Sequence, residues 1–334
     1  MKRYLLIGAG FSYNWGGWLA SEAFEFLIGD AAVVASADLR ALLWKHQSKS
    51  GFEAALDELE RAASPQMHSL ALTLRAAIKR MFESMNSAFK SKGLEFRQPF
   101  GNDHPVRNFL RSFDAIFSLN QDLFLEHCYR GCKDGLVDRE DVRTERDWNF
   151  PGMRLLRVPR EHAVYPSALG LWVPSDDRTI AADQQPIFKL HGSANWRTTE
   201  DSDIMIIGGA KAAAIQRYAV LRWYSEVFAE SLSRPDARLM IIGYSFRDEH
   251  INAVLLESME RGLEVFVVDP LGADIGSMTN SLPKDSPGYS LTAMQLVLQK
   301  SLVGASRRSL SSTLAHDDVE RRKIERFLRR EAAQ

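Results

Sequence analysis

His191 is the residue best placed for chemistry: in Pro186-Ile187-Phe188-Lys189-Leu190-His191-Gly192-Ser193 an apolar run delivers it into a glycine turn. Ile187, Phe188 and Leu190 read as a short buried strand, and Gly192 lets the chain bend directly after it. In open α/β sheets ligands bind beyond the carboxyl ends of the strands, where an imidazole can move protons near neutral pH. A histidine satisfied by its own neighbours would leave the same trace in the sequence. Asn120 and Asp122 follow a second apolar run, Phe113-Asp114-Ala115-Ile116-Phe117, and precede a helical pattern with Leu123, Phe124 and Leu125. Either side chain could cap that helix. Yet this is again a strand whose carboxyl end carries polar groups in place of a simple turn.

A third stretch offers backbone. Tyr4 to Ile7 runs as a strand into Gly8-Ala9-Gly10-Phe11-Ser12, with a helix expected near Trp15 to Ser21. Strand, glycine turn and helix make a phosphate cradle, because missing Cβ atoms admit a pyrophosphate to backbone N–H groups. A hydride-transfer enzyme would need Gly or Ala at position 13, occupied here by Tyr13, and an acidic residue ending a second strand about 20 residues on. The loop therefore favours a dinucleotide and argues against a dehydrogenase. Two later apolar runs, Arg238 to Ile242 and Leu263 to Val268, end in Gly243-Tyr244-Ser245-Phe246 and in Asp269-Pro270.

The elements that must position these residues alternate as strand, polar turn and helix, which predicts a Rossmann-like α/β fold with a doubly wound parallel sheet. Residues 1–300 form its main domain. A helical module is expected as an insertion from about 18 to 110, with Phe52, Ala55, Leu56 and Leu59 on one apolar face and Leu70, Leu74, Ile78, Met81 and Phe82 on another. Gly131 to Gln185, rich in prolines and charges, reads as an irregular lid or partner-binding segment. Ile204 to Ile207 reads as a strand leading to Gly208-Gly209 and one helix from Lys211 to about Ser231. Residues 301–334 read as an amphipathic helical tail whose Ile324, Phe327 and Leu328 offer an apolar surface to a partner chain.

Composition bounds the rest. With 42 Lys plus Arg against 43 Asp plus Glu in 334 residues, the net charge is -1, so no overall field draws nucleic acid or an anionic membrane. The two cysteines, Cys128 and Cys132, cannot close a four-ligand metal site, and they suit a reducing, cytoplasmic compartment. No apolar run approaches the roughly 18 residues of a membrane span.

Taken together, Gly8-Ala9-Gly10-Phe11-Ser12, Leu119-Asn120-Gln121-Asp122, Leu190-His191-Gly192-Ser193 and Gly243-Tyr244-Ser245-Phe246 resemble the sirtuin, or Sir2, family in order and approximate spacing. That family carries a GAG-x-S loop, a TQN-x-D turn, an HG turn and a G-x-S turn. The resemblance spans roughly residues 1 to 270. This chain departs from the deacylating sirtuins in two ways: no cysteine follows Cys132 to build their zinc module, and the second turn reads Ser118-Leu119-Asn120-Gln121-Asp122. Both departures, and the segment Gly243 to Asn252, are similar to the bacterial SIR2-like branch of antiphage defence, whose members hydrolyse NAD.

The resemblance implies a Sir2-type fold and an NAD+ glycohydrolase that releases nicotinamide and ADP-ribose, with NAD as substrate and no zinc. It assigns Asn120 to the ribose hydroxyls or the attacking water, His191 to general base and Asp122 to the carboxamide end. Gly8, Ala9, Gly10, Phe11 and Ser12 would cradle the pyrophosphate, assisted by Gly243 and Ser245. Asp269 would meet the adenosine ribose or simply form a turn before Pro270. The long segment from Gly131 to Gln185 and the apolar tail lead to the expectation of a homo-oligomer, and the resemblance implies a partner such as a HerA-like ATPase or a short Argonaute. Two other readings stand beside it: an NAD-dependent protein deacylase, and a noncatalytic NAD or ADP-ribose sensing module. The first needs an acyl-lysine channel that the zinc module helps build, and keeping both Asn120 and His191 argues against the second.

Overall fold

Leu5, Leu6 and Ile7 have no solvent exposure, and neither do Leu239, Met240 and Val265, a pattern that only strands covered on both faces require. In the computed structural model, which describes residues 1–47, 51–92, 105–129, 148–156 and 169–329, these runs become the centre of a seven-stranded sheet. Its strands, in chain order, are β1 (Lys2–Ile7), β2 (Ala115–Ser118), β3 (Trp148–Asn149), β6 (Gln185–Lys189), β9 (Ala237–Ile242), β10 (Glu264–Val268) and β11 (Leu302–Ser306). They lie side by side as β11-β10-β9-β1-β2-β6-β3, and every pairing is parallel. This is the doubly wound α/β architecture. The chain builds outward from β1 to β2 and β6, then returns to the other side of β1 for β9, β10 and β11. The topological switch point therefore falls between β1 and β9.

A smaller sheet of β4 (Met153–Leu156), β5 (Leu171–Pro174), β7 (Gly192–Arg197) and β8 (Asp203–Met205), in the order β4-β5-β7-β8, stands beside the main one. The segment expected to be irregular thus contributes β3, β4 and β5 where it is described. Residues 130–147 and 157–168, with Arg139, Arg143 and Arg146, lie outside the described residues.

Between β1 and β2 run α1 (Ala9–Tyr13), α2 (Ala20–Gly29), α3 (Ala31–Val34), α4 (Ala37–His46), α5 (Phe52–Arg61), α6 (Pro65–Lys92) and α7 (Pro105–Leu110). On α6 the buried Leu74, Ile78, Met81, Phe82, Met85 and Phe89 recur at helical spacing and face the core. The first helix begins at Ala9, directly after Gly8, and not near Trp15 as the sequence suggests. After β2 comes α8 (Phe124–Tyr129). The single helix expected from Lys211 is two, α9 (Lys211–Ile215) and α10 (Ala219–Leu232), followed by α11 (Glu249–Glu260) after β9.

The C-terminal segment departs most from expectation. Residues 302–306 are not part of a helical tail: they form β11, the edge strand beside β10. Two helices flank it before and after, α12 (Ala293–Ser301) and α13 (Leu310–Ala315), and α14 (Asp318–Arg329) closes the described chain. Ile324 and Phe327 are buried, and Phe327 meets Phe266 of β10 at 5.3 Å between ring centroids while the Arg238 guanidinium lies over its face. The apolar side chains expected to seek a partner chain instead pack on their own sheet, because β11 extends the surface that must be covered.

Candidate active site

The strands of the main sheet end on one level. Ser306, Val268, Ile242, Ile7, Ser118 and Lys189 are successive register partners across six strands, so the residue after each enters a common rim. The ladder continues one step beyond them: Gly8 N donates to Ile242 O at 3.0 Å, Leu119 N to Ile7 O at 2.9 Å, and Leu190 N to Ser118 O at 2.8 Å. Asn120 and His191 both sit two residues past that row on adjacent strands, which brings them together at the rim.

Ser12 joins the glycine loop to the second turn. Its hydroxyl lies 2.9 Å from both carboxylate oxygens of Asp122, and the Asn120 side-chain amide donates to Ser12 Oγ at 3.0 Å. The hydroxyl hydrogen must go to the carboxylate and its lone pair to the amide, so the chain of bonds has one direction, Asn120 to Ser12 to Asp122. Asp122 also accepts from Phe124 N at 2.9 Å, which caps the start of α8. The capping role and the site role coexist in one side chain. Burial pushes the Asp122 carboxyl above the usual range, opposed first by the charge of Lys189.

Lys189 is a site residue that the sequence reading passed over. It has no solvent exposure, and its ammonium donates to Asp122 O at 2.7 Å, to Glu126 Oε1 at 2.8 Å and to Ser193 Oγ at 2.7 Å. Its three hydrogens therefore clamp the turn after β2 to the turn after β6. The signal was present: a lysine inside an otherwise apolar strand needs buried partners. Gln121 adds a second brace, its carbonyl accepting from Ala194 N at 2.9 Å and its side chain donating to Ile206 O.

His191 is buried, 2% exposed, and its Nε2 lies 3.1 Å from Nε2 of His250 on α11. Burial, then the nearby Lys211 ammonium, lowers its pKa from 6.5 to about 3, against opposing pulls from Asp248 and an acceptor on the Leu119 backbone. The imidazole is thus a neutral, weakly basic ring, not the near-neutral titrating group expected from an unperturbed histidine. Lys211 itself is held at 2.9 Å from Asp248 and 3.0 Å from Glu53 of α5, so the helical insertion reaches the rim through one ammonium.

The glycine loop occupies the switch point but is closed in on itself. A Cβ on Gly8 would stand 2.5 Å from Gly243 O, and one on Gly10 would stand 2.6 Å from Gly243 Cα. Gly10 N donates to Gly243 O at 3.0 Å and Phe11 N to Gly8 O at 2.9 Å. These glycines let two turns touch backbone to backbone, and the amides of Gly8, Gly10 and Phe11 donate to carbonyls of the protein itself. Phe11 is wholly buried, whereas Ala9 and Ser245 are exposed. Asp269 accepts from Leu271 N at 2.9 Å, the turn before the 3-10 segment Gly272–Thr279. It lies two strands from β1, about 10 Å at sheet spacing.

Residues 114–271 match the family model of the SIR2-like domain. The chain carries a SIR2-like domain. SIR2-like domains bind NAD, and the match contains Asn120, Asp122, Lys189, His191, Ser245 and His250. It begins at Asp114, so β1 and its glycine loop stand outside it, yet β1 runs between β2 and β9 at the heart of the domain's sheet. No curated protein matches the chain. Within the domain Cys128 is buried, and burial holds its thiol well above the ordinary value, so it supplies no thiolate. Cys132 lies outside the described residues. Among the described residues no cluster of three or more His, Cys, Asp or Glu is arranged to hold a metal ion, and no helix is long and apolar enough to cross a membrane.

Proposed function

We propose that the chain is an NAD+ glycohydrolase that splits NAD into nicotinamide and ADP-ribose. The observation that carries this reading is the bonded series Asn120, Ser12 and Asp122, with His191 on the adjacent strand end, at the carboxyl rim of the sheet of a SIR2-like domain. The bond between nicotinamide and ribose breaks with its electron pair leaving on nicotinamide, so the ribose becomes cationic. Water then adds to that carbon and gives up a proton. The attacking water must lose that proton as it adds, and a neutral imidazole, unprotonated at physiological pH, can take it.

Asn120 would turn its remaining amide hydrogen and its carbonyl toward the ribose hydroxyls or the water, held in place by Ser12. Asp122 would act inward, orienting Ser12 and capping α8, and would not reach the carboxamide. The diphosphate would be met at Ala9, with exposed Ser245 and Arg247 on the facing turn supplying a hydroxyl and a positive charge. In the setting the resemblance suggests, NAD depletion would serve antiphage defence and a second copy or a partner protein would gate it.

Incubation with NAD alone, and with NAD plus an acetylated peptide, tests the reading. Nicotinamide released at the same rate in both supports the glycohydrolase. Release only with peptide favours a deacylase, and no release a binding module.

A further inference from the structure

In the described state the nitrogen of His191 that chemistry requires is already taken. Two ring nitrogens 3.1 Å apart share one hydrogen, so one of them donates. Whichever ring supplies that hydrogen, Nε2 of His191 is engaged, and only a lone pair at Nε2 can serve a base, which calls for His250 as the donor. A lone pair that accepts from His250 cannot at the same time take a proton from water or a ribose hydroxyl.

We propose that His250 is a displaceable partner of His191: its Nε2–H fills the place of a substrate hydroxyl, and substrate binding exchanges one donor for the other. The proposal rests on the glycohydrolase reading for the identity of that substrate. His250 suits the part. It is the second residue of α11, half-buried where His191 is fully enclosed, and among the described residues its ring hydrogen-bonds only to His191. It can therefore turn outward without moving the helix. The charged groups around the pair are Lys211 from α9, Asp248 at the start of α11 and Glu53 from α5, joined through the Lys211 ammonium. The buried Lys189, Glu126 and Asp122 lie on the other side of the turn after β6. Asp248 favours the protonated form of either imidazole, and Lys211 disfavours it. As a pair they leave the resting bond between neutral rings.

The full chain, carrying nitrogen-15 in its histidine rings, is examined by NMR with and without ADP-ribose, and its kinetics are compared with those of His250→Ala and His250→Gln. Wild type should show His191 with a bare Nε2, and ADP-ribose should release His250 to titrate like a free imidazole. His250→Ala should lower KM about threefold to tenfold, the factor expected when the open form is about a tenth to a third of the resting population. His250→Gln, whose amide can still donate, should restore KM toward wild type. A merely structural histidine would not give that split. A protonated Nε2 on His191, an unmoved His250 with ADP-ribose, an unchanged KM in His250→Ala, or a tenfold loss of kcat there would each overturn the proposal. A wild type that shows the exchange but releases no nicotinamide supports the displacement and sinks the reaction assigned to it.

Discussion

Lys189 and Glu126 form an ion pair at 2.8 Å with no solvent exposure on either side. The pair lies under the two turns that carry Asn120 and His191, and its lysine also holds Asp122 O and Ser193 Oγ. Burial raises the Glu126 carboxyl, and Lys189 is the leading force that opposes it. Two charges taken out of water in this way specify an arrangement more than they stabilise the chain.

Lys189→Met should destabilise the fold by about 3–5 kcal/mol, because it leaves Glu126 buried without its cation. The double variant Lys189→Met with Glu126→Met should recover a large part of that loss while remaining inactive, since the ammonium that clamps Asp122 O to Ser193 Oγ is then gone. Urea unfolding of the three proteins measures both terms. A single variant that costs less than about 1 kcal/mol would show that the pair is not closed to water.

Ser12→Ala should cost about 1–3 kcal/mol by leaving Asp122 short of a donor, and it frees the Asn120 amide to rotate. The kinetic signature is a fall in kcat with KM little changed, because Asn120 is then misplaced at the reacting ribose and not at the binding ends. An Asn120 that acts only as a turn residue would give a folded, fully active Ser12→Ala.

Gly10→Ala distinguishes a packing glycine from a phosphate-cradling one. Its Cβ would meet backbone of Gly243, which cannot swing away as a side chain can. The variant should be destabilised by about 2 kcal/mol or more whether or not NAD is present. A protein of unchanged melting temperature that merely binds NAD more weakly would restore the open cradle.

The parallel sheet was legible because β1, β9 and β10 each end in an unbroken apolar run, Tyr4 to Ile7, Leu239 to Ile242 and Val265 to Val268, a pattern that two covered faces demand. The four motif turns were legible for the same reason, since each follows such a run. β11 was not: Leu302-Val303-Gly304-Ala305-Ser306 is short, contains glycine and is only partly covered, as an edge strand can be. The start of α1 was misread because glycines suggest a turn, whereas here they serve close backbone contact. Lys189 and His250 escaped because their meaning lies in partners 63 and 59 residues away in sequence, Glu126 and His191. Such pairings follow from strand order, which spacing alone does not reveal.

His191 also leaves a mark on stability. In the folded chain it stays neutral down to about pH 3, whereas in the unfolded chain it takes a proton below about 6.5. Between those values the unfolded state binds more protons, so this residue's contribution to stability falls as pH drops through that window. The raised carboxyls of Asp122 and Glu126 act in the opposite sense, gaining protons earlier in the folded state. The comparison to make is therefore wild type against His191→Gln from pH 7 to 4, where the variant should lose stability less steeply. Equal slopes would mean that His191 titrates normally. By the same argument the acid limb of kcat/KM should lie well below pH 6.5.

The central claim is that Asn120 and His191 cleave NAD without a second substrate. Its most direct test is nicotinamide released from NAD by wild type, Asn120→Ala and His191→Ala, each shown to be folded by circular dichroism. Wild type should release stoichiometric nicotinamide and ADP-ribose, with each variant slowed about a hundredfold or more. Folded variants that turn over NAD at the wild-type rate would contradict the account.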